Sequence, residues 1–454
     1  MNILLTGSTG FIGRRLLAEF VKAGHHVRCA VRRLPAQAAG AHGNGMTKRV
    51  SSKSGRAPSQ ATTSSNISYV VVDYTKAVTP AAWAEAVAGM DVVVNAVGIL
   101  RETPTQRFDV IHRAAPCALF GAAAQARVKH IVQISALGAD SAAQSRYHLT
   151  KKAADDFLGG LPVASTVVQP SLVYGPGGTS ATLFGMMASL PLTPLPGRGD
   201  QQIQPVHIDD LAAAIVVIVS LGHRAPERIA LVGSRALSLR DFYAILRRSM
   251  ALSVAAHFFP VPMPIMRLTA AAGKWLPGGL LDTETLNMLV RGNTAPAADM
   301  TALLGRPPRS PEEFIPQAYG RAAGIRAKLQ WLLPALRISI GLVWIVTGIV
   351  SLGLYPVEAS YALLARAGTP PALMPLFLYG AALLDLALGA LTLSPWRPRW
   401  LWLVQAALVL AYTLIISLKL PEFWLHPYGP VLKNLPFLVA LWILYELEDR
   451  AWNT

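Results

Sequence analysis

Short apolar runs recur along the first 220 residues of the chain and are separated by segments with helical periodicity. This alternation is typical of βαβ units around a parallel sheet. The runs are rich in Val and Ile, as expected of strands that helices cover on both faces. The predicted strands are Ile3–Leu5, Val27–Val31, Tyr69–Val72, Val92–Asn95, Ile131–Ile134 and Thr166–Val168. The pattern therefore predicts an α/β fold built on a doubly wound parallel sheet.

One stretch, residues 35–66, interrupts this rhythm with Ala, Gly, Ser, Thr, Lys and Arg and almost no large apolar residue. Such a segment buries too little surface to offset the entropy lost on ordering, so we predict a disordered insertion. We assign residues 1–222 to the sheet domain. Residues 223–330, with a predicted strand at Arg228–Val232 and a helix at Leu239–Met250, are predicted to form a small substrate lobe and a linker.

The character of the chain changes after residue 330, where four apolar segments follow one another. They are about Leu332–Leu354, Met374–Leu393, Trp400–Leu418 and Leu435–Leu447. The first three approach the roughly 20 residues that a membrane-spanning helix needs. The fourth is short and spans only if Lys433 snorkels or the helix begins earlier. We therefore predict that residues 331–454 form an all-α bundle of four transmembrane helices.

Composition and charge support a membrane protein and suggest its orientation. Hydrophobic residues make up 52% of the chain and charged residues 15%, with a formal net charge of +16. Basic residues near the predicted spans are Arg321, Arg326, Lys328, Arg337, Arg397, Arg399 and Arg450 on one side, and Arg366, Lys419 and Lys433 on the other. The positive-inside rule then places both termini in the cytoplasm of a multi-pass inner-membrane protein in contact with lipid. Because no basic stripe with interleaved aromatic residues occurs, we do not expect a nucleic-acid partner.

A glycine motif directly follows the first predicted strand and precedes a helix predicted at Arg14–Ala23. Gly7 permits a tight turn, Gly10 lets the backbone approach a pyrophosphate, and Gly13 allows close packing of helix and strand. The N-terminus of the helix offers unpaired N–H groups and a positive dipole end to the phosphates. The residues predicted to bind the dinucleotide here are Thr6, Gly7, Thr9, Gly10, Phe11, Ile12 and Gly13. The motif is typical of a Rossmann-type domain.

The second strand ends in Arg32 and Arg33, where NAD sites usually place a carboxylate on the ribose 2′-hydroxyl. Guanidinium groups suit a 2′-phosphate, so the sequence favours NADP over NAD as cofactor. The alternative is that both arginines simply face solvent.

Tyr147 and Lys151 stand four residues apart, a spacing that puts both side chains on one face of a helix. A nearby cation favours the phenolate, so we expect a lowered pKa of Tyr147 and a role in acid–base chemistry. Ser135 closes the strand Ile131–Ile134 and could hydrogen-bond a substrate carbonyl. Ser135, Tyr147 and Lys151 are therefore predicted to be catalytic, and the alternative is a structural tyrosine.

Together these motifs resemble the short-chain dehydrogenases/reductases of the extended or atypical kind, over roughly residues 1–320. The matching residues are Thr6–Gly13, Asp73, Asn95–Gly98, Ser135, Tyr147, Lys151, Pro170–Pro176 and Pro205–Leu211. The chain is most similar to the branch containing an accessory subunit of respiratory complex I, which binds NADPH. The resemblance implies that Asp73 lies near the adenine. It further implies a position along the cofactor for Asn95, Ala96, Val97 and Gly98, and one beside the nicotinamide for Pro170, Ser171 and Leu172.

The apolar C-terminal part resembles the DoxX-like family. The residues that carry this resemblance are Arg337–Gly341, Trp344, Gly348, Asp385, His426–Pro430, Lys433 and Asn434. Asp385 is an acid deep in a predicted span, where a charge is costly unless it faces partners or water. We expect it to pair with Arg337, His426 or Lys433, or to make a structural bond between helices.

Three functions fit these observations. The first is a membrane-anchored NADP-dependent oxidoreductase that acts on a lipophilic carbonyl, alcohol or quinone. The second is a non-catalytic NAD(P)H-binding scaffold or redox sensor of a membrane protein complex, which Gln169 favours because the family often has Arg there. The third makes the bundle itself active in redox chemistry or transport. We expect no metal site, since Cys29 and Cys117 have the apolar surroundings of core residues in a reducing compartment.

Overall fold

The computed structural model of the protein describes residues 1–35, 66–252, 257–272 and 283–448. The chain divides into two compact units, Met1–Gly324 and Ile325–Thr454. The insertion predicted at residues 35–66 lies, apart from its two end residues, outside the described residues. The finer division predicted at residue 222 stays a prediction.

The first unit contains a seven-stranded, fully parallel sheet. Its strands are β1 (Asn2–Thr6), β2 (His26–Val31), β3 (Ile67–Val71), β4 (Val92–Asn95), β5 (His130–Ile134), β6 (Ser165–Pro170) and β7 (Arg228–Leu231). The order across the sheet is β7-β6-β5-β4-β1-β2-β3. The strands predicted from the Val- and Ile-rich runs are thus confirmed, as is the doubly wound α/β fold.

Helices cover both faces of this sheet and build the lobe beside it. They are α1 (Phe11–Lys22), α2 (Ala84–Val87), α3 (Ala115–Gln125), α4 (Arg146–Gly159), α5 (Thr179–Ser189), α6 (Ile208–Leu221), α7 (Leu239–Ser249), α8 (Met263–Ala272), α9 (Thr283–Arg291) and α10 (Ala298–Leu304). Helix α1 begins three residues earlier than predicted, because Gly10 already serves as its N-cap. In the lobe, residues 192–196 pair in parallel with residues 257–261.

The two faces of the sheet bury separate apolar clusters because side chains alternate along a strand. Ile3 and Leu5 of β1 point to one face, where they pack with Phe20 of α1 and with α6. Leu4 points to the other face and packs with Trp83 and with α3. Strands β2 and β4 lie on opposite sides of β1, so the winding direction reverses there. Ligands of doubly wound sheets bind at the carboxyl ends of the strands beside such a reversal.

The second unit is helical and apolar. Its helices are α11 (Gly320–Ile349, which begins in the first unit), α12 (Val357–Arg366), α13 (Met374–Leu393), α14 (Trp400–Lys419) and α15 (Asn434–Leu447). Within the described part of the chain, three helices are long and apolar enough to cross a membrane, and they contain α11, α13 and α14. The fourth predicted span, α15, is an apolar helix of 14 residues. This confirms the helical membrane domain, with three helices of spanning length and a shorter fourth.

Small residues allow helices α11 and α13 to approach closely. A Cβ atom on Gly348 would lie 2.8 Å from the carbonyl oxygen of Ala382, and one on Gly389 would lie 3.0 Å from that of Gly341. Such contacts are the usual means by which helices associate in a bilayer, where burial of apolar surface gives little driving force.

The partners that we expected for Asp385 do not form hydrogen bonds or ion pairs with it among the described residues. Asp385 is buried, and among the described residues its Oδ1 has no hydrogen-bond partner and its carboxylate forms no ion pair. Arg337, one of the three expected partners, instead donates from Nη1 to Oε1 of Glu448 at 2.6 Å. The predicted pairing of Asp385 with Arg337 is therefore wrong, because a carboxylate that follows the last apolar helix takes this arginine.

Candidate functional site

The glycine turn between β1 and α1 is as compact as its sequence predicts. Gly7 has a φ of +73°, and a Cβ atom there would lie 2.8 Å from the backbone of Ala96. A Cβ atom on Gly13 would lie 2.0 Å from the carbonyl oxygen of Gly7. Gly10 is the N-cap of α1 and has no side chain to cap it, so the N–H groups of the first turn remain for an anion.

A buried polar network lies directly beneath this turn. Oδ1 of Asn95 accepts hydrogen bonds from the hydroxyls of Thr6 at 2.6 Å and Tyr74 at 2.9 Å. Nδ2 of Asn95 donates to Oε1 of Gln133 at 2.6 Å. The network joins the carboxyl ends of β1, β4 and β5. The Asn95 side chain therefore fixes the strand ends, and in the turn after it Ala96 lies against Gly7 and Gly98 lies near Lys151.

Arg32 and Asp73 lie at the far end of the crevice, after β2 and β3. Arg32 and Arg33 are both exposed. The hydroxyl of Thr75 donates to Oδ1 of Asp73 at 2.8 Å, and this hydrogen bond is the main cause of the lowered pKa of Asp73. The charge of Arg32 also lowers the pKa of Asp73, so the two groups are close enough to act on one another.

Tyr147 and Lys151 come together on helix α4, as their spacing predicts. Both side chains are buried, and Nζ of Lys151 lies 5.7 Å from the centroid of the Tyr147 ring. The ammonium group donates to the carbonyl oxygen of Ile134 at 3.0 Å. A Cβ atom on Gly98 would lie 3.5 Å from the same ammonium, so the turn that follows β4 contacts the candidate catalytic pair.

The pKa of Tyr147 is raised, not lowered as we expected. Burial is the larger cause, because it penalises the charged phenolate, and the negative charge of Asp155 acts in the same direction. Burial also lowers the pKa of Lys151 to about 8. The nearby cation does not overcome the loss of solvent around the phenol.

The Ser135 hydroxyl is already engaged within the protein. Its hydroxyl donates a short hydrogen bond to Oδ2 of Asp155, and both residues are buried. Burial raises the pKa of Asp155 to about 6. The structure therefore brings Tyr147 and Lys151 together, whereas the Ser135 proton is engaged by Asp155 and a substrate carbonyl would have to compete for it.

The sequence reasoning missed His112, which lies in a π-helical turn formed by residues Asp109–Ala114. Nε2 of His112 accepts from the backbone N–H of Ile99 at 3.1 Å, and Nδ1 lies 3.2 Å from the hydroxyl oxygen of Thr150. Because that hydroxyl donates to the carbonyl oxygen of Arg146 at 2.8 Å, Nδ1 of His112 is the donor to Thr150. Burial lowers the pKa of His112 to about 2, so the ring is neutral. His112 thus joins the turn after β4 to helix α4.

Apolar side chains enclose the Tyr147 ring. Phe108 and Ala136 are buried against it, and Ile99 and Met288 pack on this cluster. The ring of Phe108 lies edge-on to the Tyr147 ring with centroids 6.0 Å apart. Met288 belongs to α9, so the lobe contributes directly to the wall of the site.

The end of α9 is fixed to the sheet domain by polar contacts. Arg291 donates from Nη1 to the carbonyl oxygen of Gly138 at 2.7 Å and from Nη2 to both carboxylate oxygens of Asp140 at 2.6 and 2.7 Å. These contacts hold Met288, three residues earlier, against the tyrosine.

The segment after β6 is held by a backbone carbonyl of one loop and a side chain of another. The hydroxyl of Ser171 donates to the carbonyl oxygen of Gln204 at 2.5 Å, and the N–H of Leu172 donates to Oδ1 of Asn293 at 2.8 Å. Nε2 of Gln169 donates to the carbonyl oxygen of Ala139 at 3.3 Å. The Pro170–Leu172 segment is thereby fixed at the carboxyl edge of the sheet.

These features agree with the families that the sequence matches. Residues 3–233, about half of the chain, match the NAD dependent epimerase/dehydratase family. The chain belongs to this family. Residues 341–442 match the DoxX-like family, so a DoxX-like membrane domain follows the epimerase-family domain. Both resemblances stated from the sequence are confirmed, and family membership supports an NAD(P)-dependent enzyme.

Relatives in other organisms match parts of the chain. A ceramide reductase of Caulobacter vibrioides is 25% identical over 215 residues, which cover 47% of this chain and 59% of the relative. The mitochondrial NADH dehydrogenase [ubiquinone] 1 alpha subcomplex subunit 9 of Arabidopsis thaliana is 33% identical over 134 residues, which cover 28% of this chain and 33% of that protein. Both matches span less than two thirds of the relatives' own length.

Solved structures share the fold. A nucleoside-diphosphate-sugar epimerase of Staphylococcus aureus superposes with a TM-score of 0.52 at 18% identity, covering 69% of this chain and 99% of that one. An NADPH-dependent quinone oxidoreductase of Escherichia coli gives a TM-score of 0.51 at 19% identity, and the match covers 70% of this chain and 99% of that one. At these identities the likeness establishes the Rossmann-type fold of the first unit.

Proposed function

We propose that this epimerase-family member is a membrane-anchored NADP-dependent oxidoreductase that transfers hydride to or from a lipophilic carbonyl, alcohol or quinone. The observation that carries the proposal is the Tyr147–Lys151 pair, which lies beside the turn at Gly98 and inside an apolar wall. An acid–base pair at the carboxyl edge of a dinucleotide-binding sheet suits proton transfer at the substrate oxygen.

Each residue has a distinct role in this proposal. The bound cofactor supplies or accepts the hydride, and the first turn of α1 holds its pyrophosphate. The Tyr147 hydroxyl gives a proton to the substrate oxygen in reduction and takes it back in oxidation. The Lys151 ammonium stabilises the phenolate that forms in reduction. Ser135 can hydrogen-bond the substrate oxygen when its hydroxyl leaves Asp155.

Apolar residues around the tyrosine support a lipophilic substrate. Phe108, Ile99 and Met288 offer no hydrogen bonds to a sugar or another highly hydroxylated ligand near the reacting carbon. The name of the Caulobacter vibrioides relative, ceramide reductase, refers to a lipid substrate and points in the same direction. We therefore place a carbonyl, alcohol or quinone with an apolar neighbourhood at this position.

The preference for NADP rests on Arg32 and Arg33, which are exposed after β2 where a 2′-phosphate would lie. Replacing Arg32 by Ala is expected to weaken NADPH binding more than NADH binding, because only NADPH carries that phosphate. Isothermal titration with both nucleotides tests this, and an equal effect on the two affinities would contradict the assignment.

Membrane orientation follows from the positive-inside rule. We propose a multi-pass protein of the cell inner membrane with its N-terminal domain and C-terminus in the cytoplasm. A reporter enzyme fused at the C-terminus should be active only in its cytoplasmic form. Activity of a periplasm-dependent reporter there would refute this topology.

The decisive test of the enzyme proposal is Tyr147→Phe. The variant should bind NADPH normally, since the substitution leaves the glycine turn unchanged, and it should lose hydride transfer with quinones and lipid carbonyls. Tyr174→Phe is the matched control, because this buried tyrosine stacks on Phe314 and lies outside the cluster. Turnover of Tyr147→Phe equal to that of the unmodified protein would eliminate the proposal.

A second candidate function is a non-catalytic NAD(P)H-binding scaffold of a membrane protein complex. Two observations favour it: the Ser135 hydroxyl is engaged by Asp155, and the Arabidopsis thaliana relative is named as an NADH dehydrogenase subunit. Tight NADPH binding without oxidation by a broad panel of quinones and lipid carbonyls would support this function over the enzymatic one.

A further inference from the structure

Helix α8 of the lobe presents a large apolar face to solvent. Ile265 and Leu268, three residues apart on one side of the helix, are 51% and 71% exposed. The opposite side of α8, with Met266 and Ala270, packs against Leu286 of α9. Helix α8 is therefore anchored by its inner face, while two adjacent aliphatic side chains remain uncovered.

The strand pair that precedes α8 adds two more exposed apolar side chains. In the parallel register Phe259 lies opposite Pro194, two residues after Leu192, so Leu192 and Phe259 share one face of this ribbon. Both are exposed. Val261, which shares that face, packs on the inner side of α8. We call the exposed pair on α8, Ile265 and Leu268, the outer lobe surface.

A basic residue accompanies this surface. Arg267 is exposed between Ile265 and Leu268 on α8. Exposed aliphatic side chains with an adjacent arginine are typical of segments that rest in the headgroup layer of a membrane containing anionic lipids.

The chain also contains a membrane domain, which gives a reason to expect a bilayer as the partner of this surface. Three of its helices are long and apolar enough to span a membrane, within the residues described, and residues 341–442 match a membrane family. A segment tethered to a bilayer experiences a high effective concentration of lipid, so a modest apolar surface is sufficient for contact.

Helix α9 connects the outer lobe surface with the candidate active site. Leu286 of α9 packs against α8, whereas Met288, two residues later, packs against the cluster that contains Tyr147. Arg291 fixes the end of α9 to Gly138 and Asp140. One short helix thus separates the exposed apolar face from the reacting position.

We propose that the outer lobe surface rests in the interfacial layer of an anionic bilayer, and that lipid-soluble substrate reaches Tyr147 from the membrane along α9. This deepens the proposed oxidoreductase function and rests on it. Contact of the outer lobe surface with lipid does not require catalysis, so the lipid contact and the oxidoreductase activity are tested separately.

Site-specific fluorescence in vesicles tests the contact. The full-length protein, with Leu268→Cys labelled by a bimane maleimide, is reconstituted into phosphatidylcholine–phosphatidylglycerol vesicles with or without brominated acyl chains. The native thiols should label poorly, because Cys29 is buried and burial raises the pKa of Cys117 to about 11. Phe157→Cys on α4 is the control, since Phe157 is 44% exposed but lies outside the surface.

Brominated lipid is expected to remove about half of the emission at position 268 and almost none at position 157, because a probe in the interfacial layer lies within reach of the acyl chains. Equal emission changes at the two positions would overturn the proposal. Cross-linking between copies through the thiol introduced at position 268, without quenching by brominated lipid, would identify a second copy of this chain as the occupant and would overturn it as well.

The substrate route has its own test. In a protein carrying both Ile265→Glu and Leu268→Glu, reduction of a quinone with a decyl chain should fall about tenfold in vesicles, since two charges oppose interfacial burial. Reduction of the same quinone without the chain should not change, and NADPH binding reports on folding. Equal loss with both quinones would refute the route. Absence of turnover in the unmodified protein with quinones and with long-chain carbonyls and alcohols, together with quenching at position 268, would refute the enzymatic proposal and leave the membrane contact standing.

Discussion

Replacing His112 by Phe tests whether the neutral imidazole holds the turn after β4 in place. The substitution keeps a ring of similar size against Phe108, whose ring centroid lies 5.1 Å away, but removes both ring nitrogens. The N–H of Ile99 then loses the acceptor it has at 3.1 Å, and Thr150 loses the donor at 3.2 Å.

The expected size of the effect follows from the cost of an unsatisfied polar group. Leaving a buried N–H without a partner costs about 1–3 kcal/mol. If this energy is lost from the conformation that binds cofactor, NADPH affinity falls by about 5- to 150-fold. Because Ile99 is only half-buried, we expect a value in the lower part of that range.

The assay is a titration of detergent-solubilised protein with NADPH, followed by nucleotide fluorescence. Thr150→Val serves as the control, because it removes the hydroxyl at Nδ1 of His112 and leaves the contact between Nε2 and Ile99 intact. It should weaken binding less than His112→Phe does. Affinity of His112→Phe within twofold of the unmodified protein, with an unchanged unfolding temperature, would refute the role assigned to His112.

Three further predictions address other parts of the molecule. Gly13→Ala should abolish NADPH binding, since its Cβ would lie 2.0 Å from the carbonyl oxygen of Gly7. Gly24→Ala, at φ +79° in open space, should cost about 1–2 kcal/mol of stability and retain binding. Turnover should fall as pH rises through about 8, where Lys151 loses its proton. In Asp155→Asn this fall should begin at lower pH, because the Asp155 charge raises the pKa of Lys151; an unmoved pH profile would contradict the coupling. Gln405→Leu removes buried hydrogen bonds to an indole and a hydroxyl, so the membrane domain should lose about 1–3 kcal/mol in thermal unfolding while NADPH binding stays unchanged.

Local sequence patterns were sufficient to predict the sheet and the compact glycine turn after β1. The strands are covered on both faces, so their Val- and Ile-rich runs stand out from the helices between them. The spacing of Gly7, Gly10 and Gly13 predicts a steric arrangement that the structure reproduces closely. The four-residue interval between Tyr147 and Lys151 is likewise a local property of a helix.

Contacts between distant segments could not be predicted in this way. The partner of the Ser135 hydroxyl is a carboxylate 20 residues away, and the partner of Arg337 is 111 residues away. No periodicity in the sequence specifies either pairing. His112 was missed because its role depends on a π-helical turn and on Ile99, 13 residues earlier. The raised pKa of Tyr147 reflects burial, which depends on the packing of Phe108 and of the lobe.

The exposure of Arg32 and Arg33 has a consequence for the evolution of coenzyme choice. Both side chains lie in solvent at the end of β2, whereas the buried amide of Asn95 secures the neighbouring strand ends through Thr6 and Gln133. If these arginines hold the 2′-phosphate as we propose, selectivity between the two nucleotides depends on one or two surface side chains, and substitutions there leave the interior undisturbed. The coenzyme preference of such a domain can then change during evolution while its core stays the same.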